Sequence, residues 1–238
     1  MERLAGVISV TPRARWAHRH EVRVEGDRVP TQSPSTRALP GCAAHAGANQ
    51  PRRAPRPRNY DDLARNARVI RNAEIVYIPG LLQTAEYARH RIQEGVGLHG
   101  ADEQEIAAAT AERVRRHQIL YDTSKRFEFV VTEAALRLLL CPAEVQLAQL
   151  DRLLALAGMP NLQFGIIPFG VYLPTAPQNG FILFDDLAVV ETFIGETMHH
   201  GDEAEAYAHA MDRLNAEAVF DEPARQLIIR AIQSLRGV

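Results

Sequence analysis

The sequence predicts an α+β domain, and three observations lead to that class. An apolar strand pattern at 127–131 is followed by a helical pattern ending at Gly158 and a second strand pattern at 162–167. Two further apolar runs, 181–184 and 187–194, flank Asp185-Asp186 as the arms of an antiparallel hairpin would. Helical spacing of apolar residues occupies the front and the end of the same region. The expected architecture is N-terminal helices, a mixed sheet of about four strands and two C-terminal helices. It is preceded by a disordered N-terminal extension.

Composition sets the frame. The chain has 238 residues, of which 46% are hydrophobic and 24% charged, the balance of a soluble globular protein. No uninterrupted apolar run approaches the roughly 18 residues of a membrane span. The apolar part of Met1–Ile8 is too short for a secretory signal, so the expected location is cytoplasmic, with no membrane partner. Cys42 and Cys141 lack CxxC or Cys/His spacing and read as free thiols of a reducing compartment. Charge is divided along the chain. Residues 1–60 hold eleven arginines against four acids, while the remainder holds sixteen basic residues against twenty-five acids. A basic arm on an acidic body fits that division.

Residues 1–58 form the first expected unit, a disordered Arg/Pro-rich extension. Seven prolines from Pro12 to Pro57 interrupt any element longer than a turn or two, and no periodicity offers a core. Val22, Val24 and Val29 allow at most a short strand. Arg52, Arg53, Arg56 and Arg58 could contact phosphate, but a solvated linker is the preferred reading, because charge runs alone specify little.

The second unit, residues 59–238, carries the fold. Asn59 or Asp61 can cap a first helix with Leu63, Ala67 and Ile70 on one face. Pro79-Gly80 then breaks the chain sharply between two helices, and Thr84 can cap the second, expected over about 84–93. Gly95, Gly97 and Gly100 mark a loop. A long helix follows from about Ala101 to Leu120, acidic in its first turn and basic in its last turns, as the helix dipole favours. Strand 127–131 leads into a helical turn at Thr132–Arg137. Pro142 opens the next helix, with Leu147, Leu150 and Leu154 at helical spacing. Strand, helix and strand in this order suggest a crossover unit. Residues 170–180 form a loop long enough to suggest a lid or binding loop. Tyr207, Met211, Leu214 and Ala218 mark one closing helix; Leu227, Ile228, Ile232 and Leu235 mark the other.

The stretch Ile78-Pro79-Gly80-Leu81-Leu82-Gln83-Thr84, followed by Tyr87-Ala88-Arg89, also carries a resemblance. With it go the run Arg113–Leu120, in which His117 stands where Gln is usual, and Glu133-Ala134-Ala135-Leu136. These words, in this order, resemble the large C-terminal effector domain of WhiJ-like, antitoxin-like XRE-type helix-turn-helix transcriptional regulators of actinobacteria, a domain of largely unassigned biochemistry. Most relatives carry Glu where Asn66 stands. The resemblance implies a sensor or partner-binding domain and, as partner, a small protein encoded nearby. A small-molecule or peptide ligand is the other expected partner. The usual N-terminal helix-turn-helix is missing, because proline spacing in residues 1–58 leaves no room for its helices; DNA becomes a partner only if one is restored upstream.

Enzymatic patterns are sparse. There is no G-x-S-x-G, no phosphate-loop motif and no G-x-G-x-x-G after a strand. His199, His200, Asp202, Glu203 and His209 lack metal-ligand spacing. The expectation is therefore no enzyme, no cofactor and no metal. The residues expected to meet a partner or ligand are Gln83, Arg89, Arg113, Arg116, Glu133, Arg137 and Glu191. Arg113 and Arg116 share a helix face, and paired acids such as Glu133 and Glu191 could act together if they converged. The alternatives kept are a stand-alone interaction protein that sequesters its partner and an uncharacterised enzyme using Glu133, Glu191 or the histidine pair.

Overall fold

Alternation of side chains along six strands builds two cores, one on each face of a single mixed sheet. The computed structural model describes residues 60–97, 102–192 and 195–237. The expected extension, its arginine arm, the Val22–Val29 strand and Cys42 lie outside them. The described elements are α1 (Tyr60–Asn66), β1 (Val69–Glu74), a 3-10 turn (Gly80–Leu82), α2 (Ala85–Gly97) and α3 (Glu103–Arg116), which runs on into a second 3-10 turn (His117–Tyr121). Then come β2 (Arg126–Thr132), α4 (Ala134–Arg137), α5 (Ala143–Leu156), β3 (Leu162–Ile167), β4 (Phe181–Phe184), β5 (Leu187–Thr192), β6 (Gly195–His199), α6 (Asp202–Glu217) and α7 (Asp221–Arg236).

The strand order is β3-β2-β1-β4-β5-β6. Strands β3, β2 and β1 are parallel, and β4, β5 and β6 run antiparallel to their neighbours. The expected crossover is present, with α5 linking parallel β2 and β3. The expected hairpin is also present as β4 and β5, with Phe184 opposite Leu187 across Asp185-Asp186.

Period-two alternation explains the two cores. Ile70, Phe127, Phe129, Val131, Phe164, Ile166 and Phe184 point to one face, against Tyr87, Leu150, Leu153, Leu227 and Ile228 of the helices. Ala73, Val130, Ile167, Leu183, Ala188 and Val190 point to the other, where Ala204, Met211 and Leu214 of α6 cover them.

The class is α+β as expected, but the sheet has six strands where about four were expected. The two extra strands are β1 and β6. Ile70 was assigned to a helix face, yet α1 ends at Asn66 and Ile70 sits in the central strand. Arg71, Asn72 and Glu74 hide that strand by their polarity. Arg71 is matched by Glu128 at 2.8 Å and by Asp212, and Asn72 donates to the Phe181 carbonyl at 2.8 Å, so all three partners lie far away in sequence. The Pro79-Gly80 corner thus joins a strand to a helix, not two helices. Gly95 and Gly97 lie within α2 rather than in a loop.

Thr84 caps α2 as expected, whereas Asp61 lies inside α1 rather than capping it. Thr84 Oγ1 accepts from Tyr87 N at 3.2 Å, and Asp102 and Glu105 form a reciprocal capping box at the start of α3. Lys125, the chain's only lysine, is buried and donates to the Arg65 and Ala67 carbonyls at 2.7 and 2.5 Å just beyond α1. The outer side of β3 is met by the connection between α6 and α7, where Ile166 and Val219 exchange hydrogen bonds of 2.9 and 2.8 Å. Gly165 is needed there, because a Cβ would lie 2.5 Å from the Phe220 ring.

Asp185 locks the hairpin to the start of β1. Its φ of 51° is in the left-handed region. Its carboxylate accepts from Arg68 N at 3.1 Å and Val69 N at 2.8 Å, and its own N–H donates to the Val69 carbonyl at 3.0 Å. Asp185→Ala is expected to cost about 2–3 kcal/mol in urea unfolding, combining lost hydrogen bonds with backbone strain. Asp185→Gly should cost less, because glycine relieves the strain; equal costs would mean that the backbone contributes nothing.

Candidate functional site

Strand order reverses beside β1, since β2 and β3 lie on one side and β4 on the other. In open sheets with parallel strands, ligands favour the crevice at the carboxyl ends next to such a switch. At this position β1 ends in Glu74, which shares its sheet face with Asn72 and Ile70.

Glu74 is only partly exposed, and its hydrogen bond comes from Asn72 Nδ2 at 3.2 Å. Burial pushes its carboxyl up to about 8, and the charge of Glu191 adds to that rise, while Asn72, Arg91 and Arg113 oppose it. Tyr60, Tyr77, Phe181, Ile182 and Glu191 line a small cleft around it, closed by Gly180. A Cβ at Gly180 would displace the Glu74 carboxylate and press on the Ala73 carbonyl at 3.3 Å. The cleft's volume is about 10 Å³, room for about one water.

Basic groups from the helices surround this acid. Arg91 of α2 lies 4.7 Å from the Tyr77 ring centre and pairs with Glu94. Arg113 of α3 donates to Gln83 Oε1 at 3.3 Å. Burial lowers its basicity, with the charge of Glu191 acting the other way. The Tyr60 hydroxyl bonds Glu196 and is held well above its usual range, first by burial and then by Glu196 and Glu191. Tyr77 is pushed up to about 12, mainly by burial and then by Glu74. The arrangement stores one proton on a carboxyl near neutrality, beside a second acid and a desolvated guanidinium.

The predicted site residues divide into three groups. Glu191 lines this cleft and Arg113 acts on Glu74 by its charge, whereas Gln83 is buried, accepts from Arg113 and donates to the Ile78 carbonyl at 2.7 Å. Arg116 belongs to a structural pair: its Nε donates to Asp61 at 2.5 Å, with Arg115 2.9 Å from the other carboxylate oxygen. Burial alone would raise the Asp61 carboxyl, but the two guanidiniums outweigh it and hold it below its usual range. Arg89 makes a surface pair with Glu103.

Glu133 and Arg137 lie elsewhere, at the carboxyl end of β2. Glu133 is buried and accepts from Arg137 Nε at 2.7 Å and from Phe169 N at 2.9 Å. Its carboxylate is thereby occupied, whereas Glu191 acts electrostatically on Glu74, Glu196 and Tyr60. His199 is engaged by Glu203 at 2.8 Å and Thr197 at 3.0 Å. Among the described residues no group of His, Cys, Asp and Glu has the makings of a metal site. No helix among them is long and apolar enough to cross a membrane.

Sequence reasoning missed Glu74, Tyr60, Tyr77 and Arg91. The available signal was only an acid at position 74 and a glycine directly before a later strand. Neither is specific until the strands are paired.

His117 places Nε2 3.1 Å from the Gly80 carbonyl. Burial and then Arg152 push it down to about 4, so at neutral pH the ring is neutral and donates from Nε2 to the Pro79-Gly80 corner.

A family model described as a domain of unknown function (DUF5753) matches residues 58–230. No curated protein matches the sequence.

Proposed function

From the premise that the chain belongs to the DUF5753 family, whose description states no activity, we propose that it is a protein-binding module. Its partner docks where β2 and β3 end. One observation carries this reading. Leu138, Leu139, Phe169, Val171 and Tyr172 are large apolar residues with exposures of 43, 56, 60, 41 and 85%. They lie on two loops leaving the same end of adjacent parallel strands. Exposed apolar residues gathered in this way are characteristic of interaction sites, and Tyr is enriched among the residues that dominate binding energy.

Glu133 and Arg137 have a supporting role here. The Glu133 carboxylate joins the helix before Leu138 to the backbone of Phe169, so it sets the spacing of the two loops without meeting the partner. The finer reading is the effector domain of an antitoxin-like regulator that binds a small protein encoded nearby. The Glu74 cleft is not a small-molecule site, since about 10 Å³ is far below the roughly 300 Å³ of a ligand pocket.

The test is binding of the full chain to the small protein encoded beside its gene, compared with the Phe169→Asp, Tyr172→Asp double variant. Both positions are exposed, so the variant should keep the parent's unfolding midpoint. Affinity should fall by about 100-fold or more. Undiminished binding by the double variant would remove this surface from the proposal. Retardation of DNA by residues 59–238 alone would contradict a module without a DNA reader of its own.

A further inference from the structure

On the opposite face of the sheet from Glu74, a groove of about 620 Å³ lies between β1–β3 and α6. Pairing in register places Arg71, Glu128 and Gln163 in one row across β1, β2 and β3. Asp212 descends from α6 onto Arg71, and Arg126 flanks Glu128. Charges therefore alternate along the groove in the order Asp212, Arg71, Glu128, Arg126. The inner pair is 16 and 9% exposed and satisfied, with Arg71 Nε 2.8 Å from Glu128. The outer groups, Asp212 and Arg126, are 63 and 68% exposed, and each keeps bonding capacity toward the groove.

We propose that this groove binds a short peptide with both termini free, its ammonium group on Asp212 and its carboxylate on Arg126. Four lining charges of alternating sign cancel, which disfavours a simple anion or cation and suits a ligand with one charge at each end. Three charge-assisted contacts in series, with the widths of the two inner groups, separate the outer charges by roughly 10 Å. At about 3.3–3.6 Å per extended residue, that is the length of about three residues. Between the ends, the Gln163 carboxamide is exposed and suited to peptide N–H and C=O groups. Asn215 Oδ1 is buried without a hydrogen-bond partner among the described residues, so the side chain gains by turning toward a ligand donor. The Phe220 ring and Val69 supply an apolar wall for one side chain.

The probe is the tripeptide Ala-Phe-Ala, titrated calorimetrically into the full chain beside its N-acetylated and C-amidated forms. Saturable binding of the free tripeptide is expected, with about tenfold or greater loss on capping either end. Asp212→Asn should weaken the free peptide while leaving the acetylated one unchanged, and Arg126→Gln should do the same for the amidated one. Ala216→Trp, at an exposed position of α6 on the groove wall, should abolish binding without altering the unfolding midpoint. Absence of binding by the free tripeptide overturns the proposal. Equal affinity for free and capped peptides also overturns it, and would assign the groove to an internal segment of a longer chain.

Discussion

Glu74→Gln is expected to stabilise the domain at alkaline pH by about 2–4 kcal/mol and to leave it nearly unchanged below about pH 4.5. The folded carboxyl is raised from 4.5 to about 8 by burial. Between these values the folded state therefore holds a proton that the unfolded chain has released. Stability must fall as pH rises through that window, and the penalty is complete above it. A shift of this size corresponds to at most about 5 kcal/mol, reduced because some solvent reaches the carboxyl. Glutamine keeps an oxygen for Asn72 and cannot ionise. Urea unfolding of both proteins at about pH 5, 7 and 9 should show stabilities that diverge with pH. Parallel curves would mean that Glu74 ionises freely in the folded protein.

Gln149→Leu is expected to destabilise by about 2–4 kcal/mol, a large loss for a volume-conserving change. Gln149 is fully buried in α5. Its Oε1 accepts from Thr84 N at 2.7 Å, and its Nε2 donates to the Leu82 carbonyl at 2.9 Å. Leucine would leave the Thr84 N–H without that partner, while the Leu82 carbonyl keeps the Arg152 bond of 3.1 Å. Gln149→Glu retains the acceptor but buries a charge, and should be at least as harmful near neutral pH. A loss below about 0.5 kcal/mol for leucine would show that water replaces the amide at this corner.

The Gln149 contacts explain what was and was not legible in the sequence. Pro79-Gly80 announces a corner by chemistry contained in two residues, and Thr84 announces a helix start. Both readings need only near neighbours, and both hold. What the corner joins depends on Gln149, 65 positions away from Thr84, and on whether residues 69–74 pair with 126–131. Those pairings leave no periodic trace. Strand β1 is polar at three of six positions, two of them satisfied by partners from β2, β4 and α6, so this central strand has the least strand-like sequence. β2, β3, β4 and β5 carry dense apolar runs whose identity does not depend on distant partners, and they were found. The candidate site followed the same rule. Of the residues expected to meet a partner, only Glu191 lines the cleft, and Glu74 becomes conspicuous only once β1 is known to be a strand.

The bridge between Ile166 and Val219 bears on how copies of this protein behave when concentrated. A sheet grows by backbone pairing at its open margins, and one with two such margins can add copies without limit. Here the α6–α7 connection already occupies part of the β3 margin, and among the described residues no strand lies outside β6. Two copies joined through β6 would present only β3 margins, each interrupted by this bridge. The short connection between two helices thus hinders pairing at the β3 margin and disfavours open-ended fibre growth through this sheet.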